Sequence, residues 1–134
     1  GRRMYETMIG WETMGEDGSL PDYILEFARI WKEKPKVVVS RTLASAKAGC
    51  RLGRDVGEEI ARLKNVGDIG VGGPGIAAAV AELGLLDEYR MVLSPVIVGG
   101  GKTYFPALRL AVPLSLVETR RFASGAVYLR YRRV

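Results

Sequence analysis

Apolar residues recur at helical spacing in the first part of the chain. Four of them occupy the i, i+3, i+4 and i+7 positions of one helix face: Ile24, Phe27, Ala28 and Trp31. This pattern predicts an amphipathic helix that opens at Pro21 and ends before Pro35, because proline disfavours helical geometry in the residue before it. A shorter helix is predicted over residues 2–9, and the glycine- and acid-rich residues 11–20 predict a loop.

Short β-branched runs alternate with helical segments in the middle of the chain. "KVVVS" (36–40) and "DIGV" (68–71) predict buried strands, and a shorter strand is indicated near residues 49–52. Residues 55–64 predict a helix whose first residue, an aspartate, is a suitable N-cap. An alanine-rich helix is predicted over residues 76–83.

The end of the chain has the alternation of half-buried strands. Residues 88–99 predict one long strand, in which Pro95 indicates a sheet edge or a bulge. Residues 114–122 and 126–134 alternate apolar and polar side chains. They predict a hairpin that turns at Ser124-Gly125.

The order of these elements predicts the fold class. Strands that alternate with helices pair in parallel through right-handed crossovers, so we expect a mostly parallel mixed α/β sheet with helices on both faces. The final hairpin adds antiparallel strands at one side. We expect residues 1–134 to form one domain. Because the sequence opens on a helix, a first strand is expected to precede Gly1.

Composition narrows the functional classes. Of the 134 residues, 48% are apolar and 26% charged, which is typical of a globular domain, and no apolar run approaches the about 20 residues of a membrane span. The sequence has no histidine and one cysteine, Cys50, which excludes histidine-based catalysis, a disulfide framework and a metal site of imidazoles or several thiolates. A single cysteine and the lack of a visible secretory signal favour a reducing cytoplasm.

Much of the net charge of +5 is contributed by the C-terminus, where five arginines crowd together: Arg120, Arg121, Arg130, Arg132 and Arg133. A basic cluster is one footprint of nucleic-acid binding. Aromatic residues are not interleaved with these arginines in a binding pattern, and solvated strand edges are the favoured interpretation. We therefore expect neither a nucleic acid nor a membrane as a partner.

A glycine-containing turn joins the 68–71 segment to the alanine-rich helix and is a candidate anion site. Glycines let a backbone approach a ligand closely, and the free N–H groups of a first helical turn attract anions. The turn and the helix start comprise Gly72, Gly73, Pro74, Gly75, Ile76 and Ala77. They match neither the dinucleotide fingerprint nor a P-loop, so a phosphate cradle and a plain strand-to-helix turn both remain open.

Basic and hydroxyl residues follow the 36–40 strand and form a second candidate site. Ser40, Arg41 and Thr42 could hold a phosphate monoester at the carboxyl end of the strand, where ligands of α/β sheets bind. Gly1 and Arg2, at the start of the first predicted helix, could likewise bind a phosphate or simply be solvated. A third segment, "GGGKTYFP" (99–106), lacks the glycine spacing of a P-loop, so we predict no ATP site there.

The ordered set of motifs resembles the dihydrofolate reductase-like superfamily. It is most similar to the C-terminal reductase domain of bacterial riboflavin-biosynthesis bifunctional deaminase/reductases and their stand-alone relatives. "GRRMYET" resembles that family's Gly-Arg-x-Thr-Tyr/Trp-Glu segment, and "PKVVVSRTL" resembles its second cofactor strand. "VGGPGIAAAVAELGLLDEYRMVLSPVIVGGGKTYFP" is similar to its glycine turn, helix and Gly-Lys-x-x-Phe loop, and "FASGAVYLRYR" to its closing hairpin.

The resemblance implies an NADPH-binding α/β fold. It places the cofactor phosphates beside Gly1 and Arg2, and the adenosine 2′-phosphate beside Ser40, Arg41 and Thr42. The resemblance also makes the segment from Gly72 to Ala77 a cradle for the pyrophosphate and the nicotinamide ribose, in preference to a plain turn. It implies a homodimer, which the apolar strand over residues 91–98 also favours.

Two departures from the family pattern bear on activity. Met4 stands where the family usually has threonine, so one hydroxyl contact is lost. The segment before Gly1 would carry the first strand, much of the substrate pocket and, by likeness to dihydrofolate reductases, the acidic residue that assists protonation. The catalytic acid therefore has no counterpart that can be named in this sequence.

These features predict an NADPH-dependent reductase. We expect hydride transfer to a C=N or C=O carbon of a heterocyclic or ribosylamino small-molecule substrate, as in the riboflavin pathway or in dihydrofolate reduction. Ser94 and Lys102 are candidate substrate contacts. A catalytically inactive nucleotide-binding module is the alternative, and a nucleic-acid-binding protein that uses the C-terminal arginines is a third interpretation.

Overall fold

The structure is a computed structural model that describes residues 1–16, 18–47, 49–105 and 107–134. Asp17 and Pro106, which belong to two of the predicted loops, lie outside the described residues. The chain folds into two compact units, residues 1–76 and residues 77–134. The expectation of one domain over the whole chain stays a prediction.

Two helices and a short 3-10 turn form the start of the first unit. Helix α1 spans Arg2–Met8, a 3-10 helix spans Ile9–Glu12, and helix α2 spans Asp22–Glu33. The helices predicted at residues 2–9 and after Pro21 are confirmed, whereas the predicted loop at 11–20 begins within the 3-10 helix. The rings of Trp11 and Phe27 meet edge to face with centroids 4.6 Å apart, which packs the 3-10 helix on α2.

A parallel pair of strands lies in the same unit. Strand β1 spans Lys36–Val39, strand β2 spans Cys50–Gly53, and helix α3 spans Val56–Lys64. The Asp55 carboxylate accepts a 2.9 Å hydrogen bond from the Glu58 N–H and so caps α3, as the sequence predicts. Val38 of β1 is buried, as is Ile60 of α3.

The prediction of a strand at residues 68–71 is wrong. A strand is defined by its hydrogen-bonded ladder, and β1 and β2 pair only with each other among the described residues. The segment is therefore irregular backbone. Helix α4 follows over Pro74–Glu82, two residues earlier than predicted, because proline's fixed φ suits the first position of a helix.

The second unit contains a three-stranded antiparallel sheet. Strands β3 (Glu88–Leu93), β4 (Leu114–Arg121) and β5 (Val127–Arg133) lie in the order β3-β5-β4. The predicted hairpin is confirmed: Phe122 and Gly125 close its turn by a 3.0 Å backbone hydrogen bond, with Gly125 at φ 85°.

Strand β3 is shorter than the sequence pattern indicates. It ends at Leu93, whereas the apolar run continues to residue 98. Pro95 has no N–H for a ladder and restricts the residue before it, so Ser94 leaves the sheet and its carbonyl accepts a 2.8 Å bond from the Val96 N–H. The prediction that Pro95 marks an edge is consistent with the position of β3 at the edge of the sheet.

The predicted fold class, mixed α/β with a C-terminal antiparallel hairpin, is confirmed. The balance of strand pairings differs from the expectation of a mostly parallel sheet. The described residues form one parallel pairing and two antiparallel ones, in two separate sheets, because the 68–71 segment adds no further parallel strand. Within the described ranges, no helix is long and apolar enough to cross a membrane.

Arg90, Arg130 and Arg132 of the C-terminal sheet pair with acidic side chains. Glu88 lies 2.5 Å from Arg90, 3.3 Å from Arg132 and 3.9 Å from Arg130, and Arg130 also lies 3.3 Å from Glu118. The hydrogen bond from Arg90 contributes most to holding the pKa of Glu88 below its ordinary value. For Arg130 and Arg132, these ion pairs favour the interpretation as solvated strand surface.

Candidate functional site

The carboxyl ends of the two parallel strands share one edge of their sheet. Val39 pairs with Gly53, and the Ser40 N–H donates a 3.1 Å hydrogen bond to the Gly53 carbonyl just beyond the ladder. The residues that follow each strand therefore emerge side by side. Ser40 follows β1, and Arg54 follows β2.

Ser40 organises the turn that follows β1. Only 9% of the residue is exposed, and its hydroxyl oxygen accepts hydrogen bonds from the backbone N–H groups of Thr42 at 3.3 Å and Leu43 at 3.2 Å. The oxygen is thus committed to the backbone, as in other serine-centred turns. Arg41 and Thr42 are exposed and are the side chains that this turn presents to solvent.

Arg54 is a member of this edge that the sequence analysis missed. One guanidinium nitrogen, Nη1, donates a 2.8 Å hydrogen bond to the Ser40 carbonyl. The available signal was its position two residues after the predicted 49–52 strand. A basic residue there meets the end of β1 if the two strands pair in parallel, which the spacing alone did not establish.

The glycine turn is shaped by a left-handed residue. Gly73 has φ 98°, a conformation that side-chain-bearing residues rarely adopt. A Cβ atom on Gly72 or Gly75 would meet nothing within 4 Å, so open space lies beside this backbone. The turn therefore has both properties that close approach of a ligand needs, a permissive conformation and an unfilled neighbourhood.

Part of the predicted cradle is helix. Pro74, Gly75, Ile76 and Ala77 are the first four residues of α4. Proline has no N–H, so the backbone donors that lack an intrahelical acceptor in the first turn are those of Gly75 and Ile76. Helix geometry pairs the Ala77 N–H with the Gly73 carbonyl, so this N–H is not free to bind an anion.

Helix α1 touches the glycine turn through Met4. A Cβ atom on Gly73 would lie 3.4 Å from Met4 Cβ and 3.8 Å from its Cγ, so the turn rests against this side chain. Met4, where the resemblance led us to expect threonine, thus fills space below the turn. The contact places the start of α1 close to the glycine turn within the first unit.

The next residue of α1, Tyr5, holds the loop after β1. Its side chain is buried, and its hydroxyl accepts a 2.6 Å hydrogen bond from the Lys47 backbone N–H. Two successive residues, Met4 and Tyr5, therefore contact the glycine turn and the loop that leaves the Ser40 turn. Helix α1 thus links the glycine turn to the loop after β1.

Gly1 and Arg2 are predicted to bind the cofactor phosphates, and the side chain of Arg2 already has an acidic partner. Gly1 is the N-cap of α1, and Arg2 Nε donates a 2.6 Å hydrogen bond to Glu6 Oε1 one turn later. This bond and the carboxylate charge raise the pKa of Arg2 above its ordinary value. An anion at this helix start would share the arginine with Glu6.

Ser94 and Lys102, the predicted substrate contacts, both lie exposed in the second unit. Ser94 directly follows β3. Lys102 follows Gly101, and its loop is held to β3 by a 2.8 Å hydrogen bond from the Tyr104 hydroxyl to the Arg90 carbonyl. Within residues 103–105 and 107–113 no helix follows Lys102, in keeping with the rejected P-loop. Their role with substrate stays a prediction.

Comparison with known proteins identifies the family. Residues 4–128 match the family model of the RibD C-terminal domain, which covers nearly the whole chain. The chain belongs to the RibD C-terminal domain family. The resemblance to a riboflavin-pathway reductase domain, drawn from the order of the motifs, is thereby confirmed.

One relative in sequence and one solved structure are also similar to this RibD C-terminal domain. The uncharacterized protein YyaP of Bacillus subtilis (strain 168) is 33% identical over an alignment of 135 positions, which covers 98% of this chain and 70% of that protein. A crystal structure from Shewanella sp. PV-4, provisionally named a riboflavin biosynthesis protein, superposes with a TM-score of 0.69 at 19% identity. The match covers 84% of this chain and 71% of that one, and shows a shared fold.

We predict that Tyr5→Phe weakens the connection between α1 and the loop after β1. The variant leaves the partly buried Lys47 N–H without its acceptor, which should lower the free energy of unfolding by about 1 kcal/mol. Urea denaturation measures this change. Tyr23→Phe is the matched control, since Tyr23 is 72% exposed. Equal stability of the Tyr5→Phe and Tyr23→Phe proteins would contradict the prediction.

Proposed function

We propose that this RibD C-terminal domain is an NADPH-dependent reductase of the cytoplasm. In this reaction a hydride would pass from the nicotinamide to a C=N or C=O carbon of a heterocyclic or ribosylamino substrate. Family membership supports a reductase-like domain. The observation that carries the cofactor proposal is the contact of α1 with both the glycine turn and the loop after β1.

The residues of the first unit fit a phosphorylated dinucleotide. Gly75 and Ile76 offer backbone N–H groups beside open space, which suits a pyrophosphate. Arg41 and Thr42 are exposed at the end of β1, where a guanidinium can bind a phosphate monoester through paired, charge-assisted hydrogen bonds. In the described part of the chain no carboxylate pairs with Arg41, so its charge is available to an anion.

The protein's part in the reaction is to bind and orient. Bound NADPH would supply the hydride, and the chain's own residues would hold its phosphates and restrict its motion. The Ser40 turn is held by its own hydrogen bonds and the glycine turn rests against Met4 of α1, so both anchoring points are formed before a cofactor binds. No catalytic acid is assigned among these residues.

A catalytically inactive nucleotide-binding module remains the second candidate. Met4 favours it, because a thioether in place of a hydroxyl removes one polar contact beside the glycine turn. Both candidates bind NADPH. Oxidation of NADPH by the full-length protein with riboflavin-pathway and dihydrofolate substrates separates them, since the module would bind cofactor and oxidise none.

We predict that Gly75→Ala separates the cradle from a plain turn. An added Cβ meets no protein atom within 4 Å, and alanine is preferred over glycine in a helix, so the fold should be as stable as before or more so. The methyl group would occupy the space proposed for the pyrophosphate. We expect the NADPH dissociation constant, measured by calorimetry, to rise about tenfold or more, a loss of about 1.4 kcal/mol.

Alanine variants of two further glycines serve as controls for this experiment. Gly70→Ala also places its Cβ in open space but outside the turn, so it should change neither stability nor NADPH affinity. Gly73→Ala should lower the free energy of unfolding by about 1 kcal/mol or more, because alanine is strained at φ 98°. Unchanged NADPH affinity in a folded Gly75→Ala protein would refute the cradle.

We predict that Arg41→Ala lowers the preference for NADPH over NADH. Removing a charged hydrogen-bond partner costs about 1.5–3 kcal/mol, so NADPH affinity should fall roughly ten- to a hundredfold while NADH affinity barely changes. Dissociation constants of both cofactors at low and high salt measure this, because screening should erode the effect. Arg29→Ala, which removes an exposed arginine of α2, is the control. Equal losses for NADPH and NADH would assign Arg41 a structural role.

We also propose a homodimer that covers the apolar segment after β3. Val96, Ile97 and Val98 are 66%, 98% and 79% exposed, and three adjacent apolar side chains in water are unfavourable. Ile97→Glu should shift the protein towards monomer in sedimentation experiments. Val66→Glu, at a residue 81% exposed in the first unit, is the control. A wild-type protein that sediments as a monomer at high concentration would overturn this proposal.

A further inference from the structure

The ends of β1 and β2 are joined by a hydrogen bond that involves a side chain without an acidic partner. Arg54 Nη1 donates to the Ser40 carbonyl at 2.8 Å in a partly buried position. Nearby acids are otherwise engaged: the Asp55 carboxylate caps α3, and Glu59 pairs with Arg51 and Arg62. Among the described residues, no carboxylate pairs with Arg54.

Three interactions converge on Ser40 and fix the turn that presents Arg41. The Ser40 N–H binds the Gly53 carbonyl, the Ser40 hydroxyl binds the N–H groups of the turn, and the Ser40 carbonyl binds Arg54. The first two involve the backbone ladder and the serine itself. The third is the one that depends on a side chain from another element, so Arg54 sets the orientation of the peptide that leads into Arg41.

We infer that Arg54 is a positioning residue that enables Arg41 and Thr42 to distinguish a 2′-phosphate from a 2′-hydroxyl. This inference rests on the proposed NADPH-binding function. A phosphate monoester needs its donors at fixed positions, because paired charge-assisted hydrogen bonds lose strength when the guanidinium is displaced. A hydroxyl makes weaker and less directional demands, so NADH binding tolerates a loosened turn. Since no carboxylate of the described residues pairs with Arg54, its charge adds to the positive potential at the same edge.

The test measures how four proteins bind NADPH, NADH and the fragment adenosine 2′-monophosphate by calorimetry. Arg54→Ala should weaken NADPH and the fragment by about tenfold, with NADH changed by less than about twofold. Arg54→Lys keeps the charge and a donor but not the planar fork, so it should recover part of the loss. Arg51→Ala removes an equal charge from β2, the strand that Arg54 follows, at a position where the arginine pairs with Glu59, and should leave the NADPH-to-NADH ratio unchanged.

The outcomes separate this inference from the proposed function. Failure of the wild-type protein to bind NADPH would overturn the proposed function and the inference with it. Selective NADPH binding by the wild type, together with equal losses of NADPH and NADH affinity in Arg54→Ala, would leave the function standing and reduce Arg54 to a structural residue. A wild-type ratio in a folded Arg54→Ala protein would also overturn the inference.

Discussion

The hydrogen bond from the Lys47 backbone N–H to the buried Tyr5 hydroxyl is the constraint on which the candidate site depends. It holds α1 against the loop after β1, while the preceding residue, Met4, supports the glycine turn. These segments are far apart in sequence, so no local preference brings them together. A short helix of seven residues would be marginal by itself and is stabilised by these contacts.

At the edge of the parallel pair, the candidate binding surface includes backbone groups that need hydrogen-bond partners whether or not a ligand binds. The carbonyl of Ser40 lies beyond the last ladder pair, where a partly buried acceptor without a partner would be costly. Arg54 satisfies it and at the same time brings a second cation to the edge. The same guanidinium thus donates a hydrogen bond to the Ser40 carbonyl and takes part in the proposed recognition of an anion.

The C-terminal sheet uses its arginines differently. Glu88 attracts Arg90 of its own strand and Arg130 and Arg132 of the neighbouring β5, so opposite charges face each other on one side of the sheet. Cross-strand pairs of this kind contribute modestly to stability when exposed. Two members of the cluster that looks like a nucleic-acid footprint in the sequence, Arg130 and Arg132, are thus paired with acids, whereas no carboxylate pairs with Arg41 or Arg54 among the described residues.

The sequence by itself determined the helices, the short strand β2, the closing hairpin and the family, because apolar periodicity, caps and ordered motifs are local signals. It identified Arg41 and the glycine turn as candidates but overextended β3 and wrongly assigned a strand to residues 68–71. Apolar content does not reveal whether a ladder partner exists or where Pro95 ends the pairing. Tertiary structure alone decided the roles of Tyr5 and Arg54, because each acts on a backbone group that is distant in sequence: Lys47 N–H for Tyr5, and the Ser40 carbonyl for Arg54.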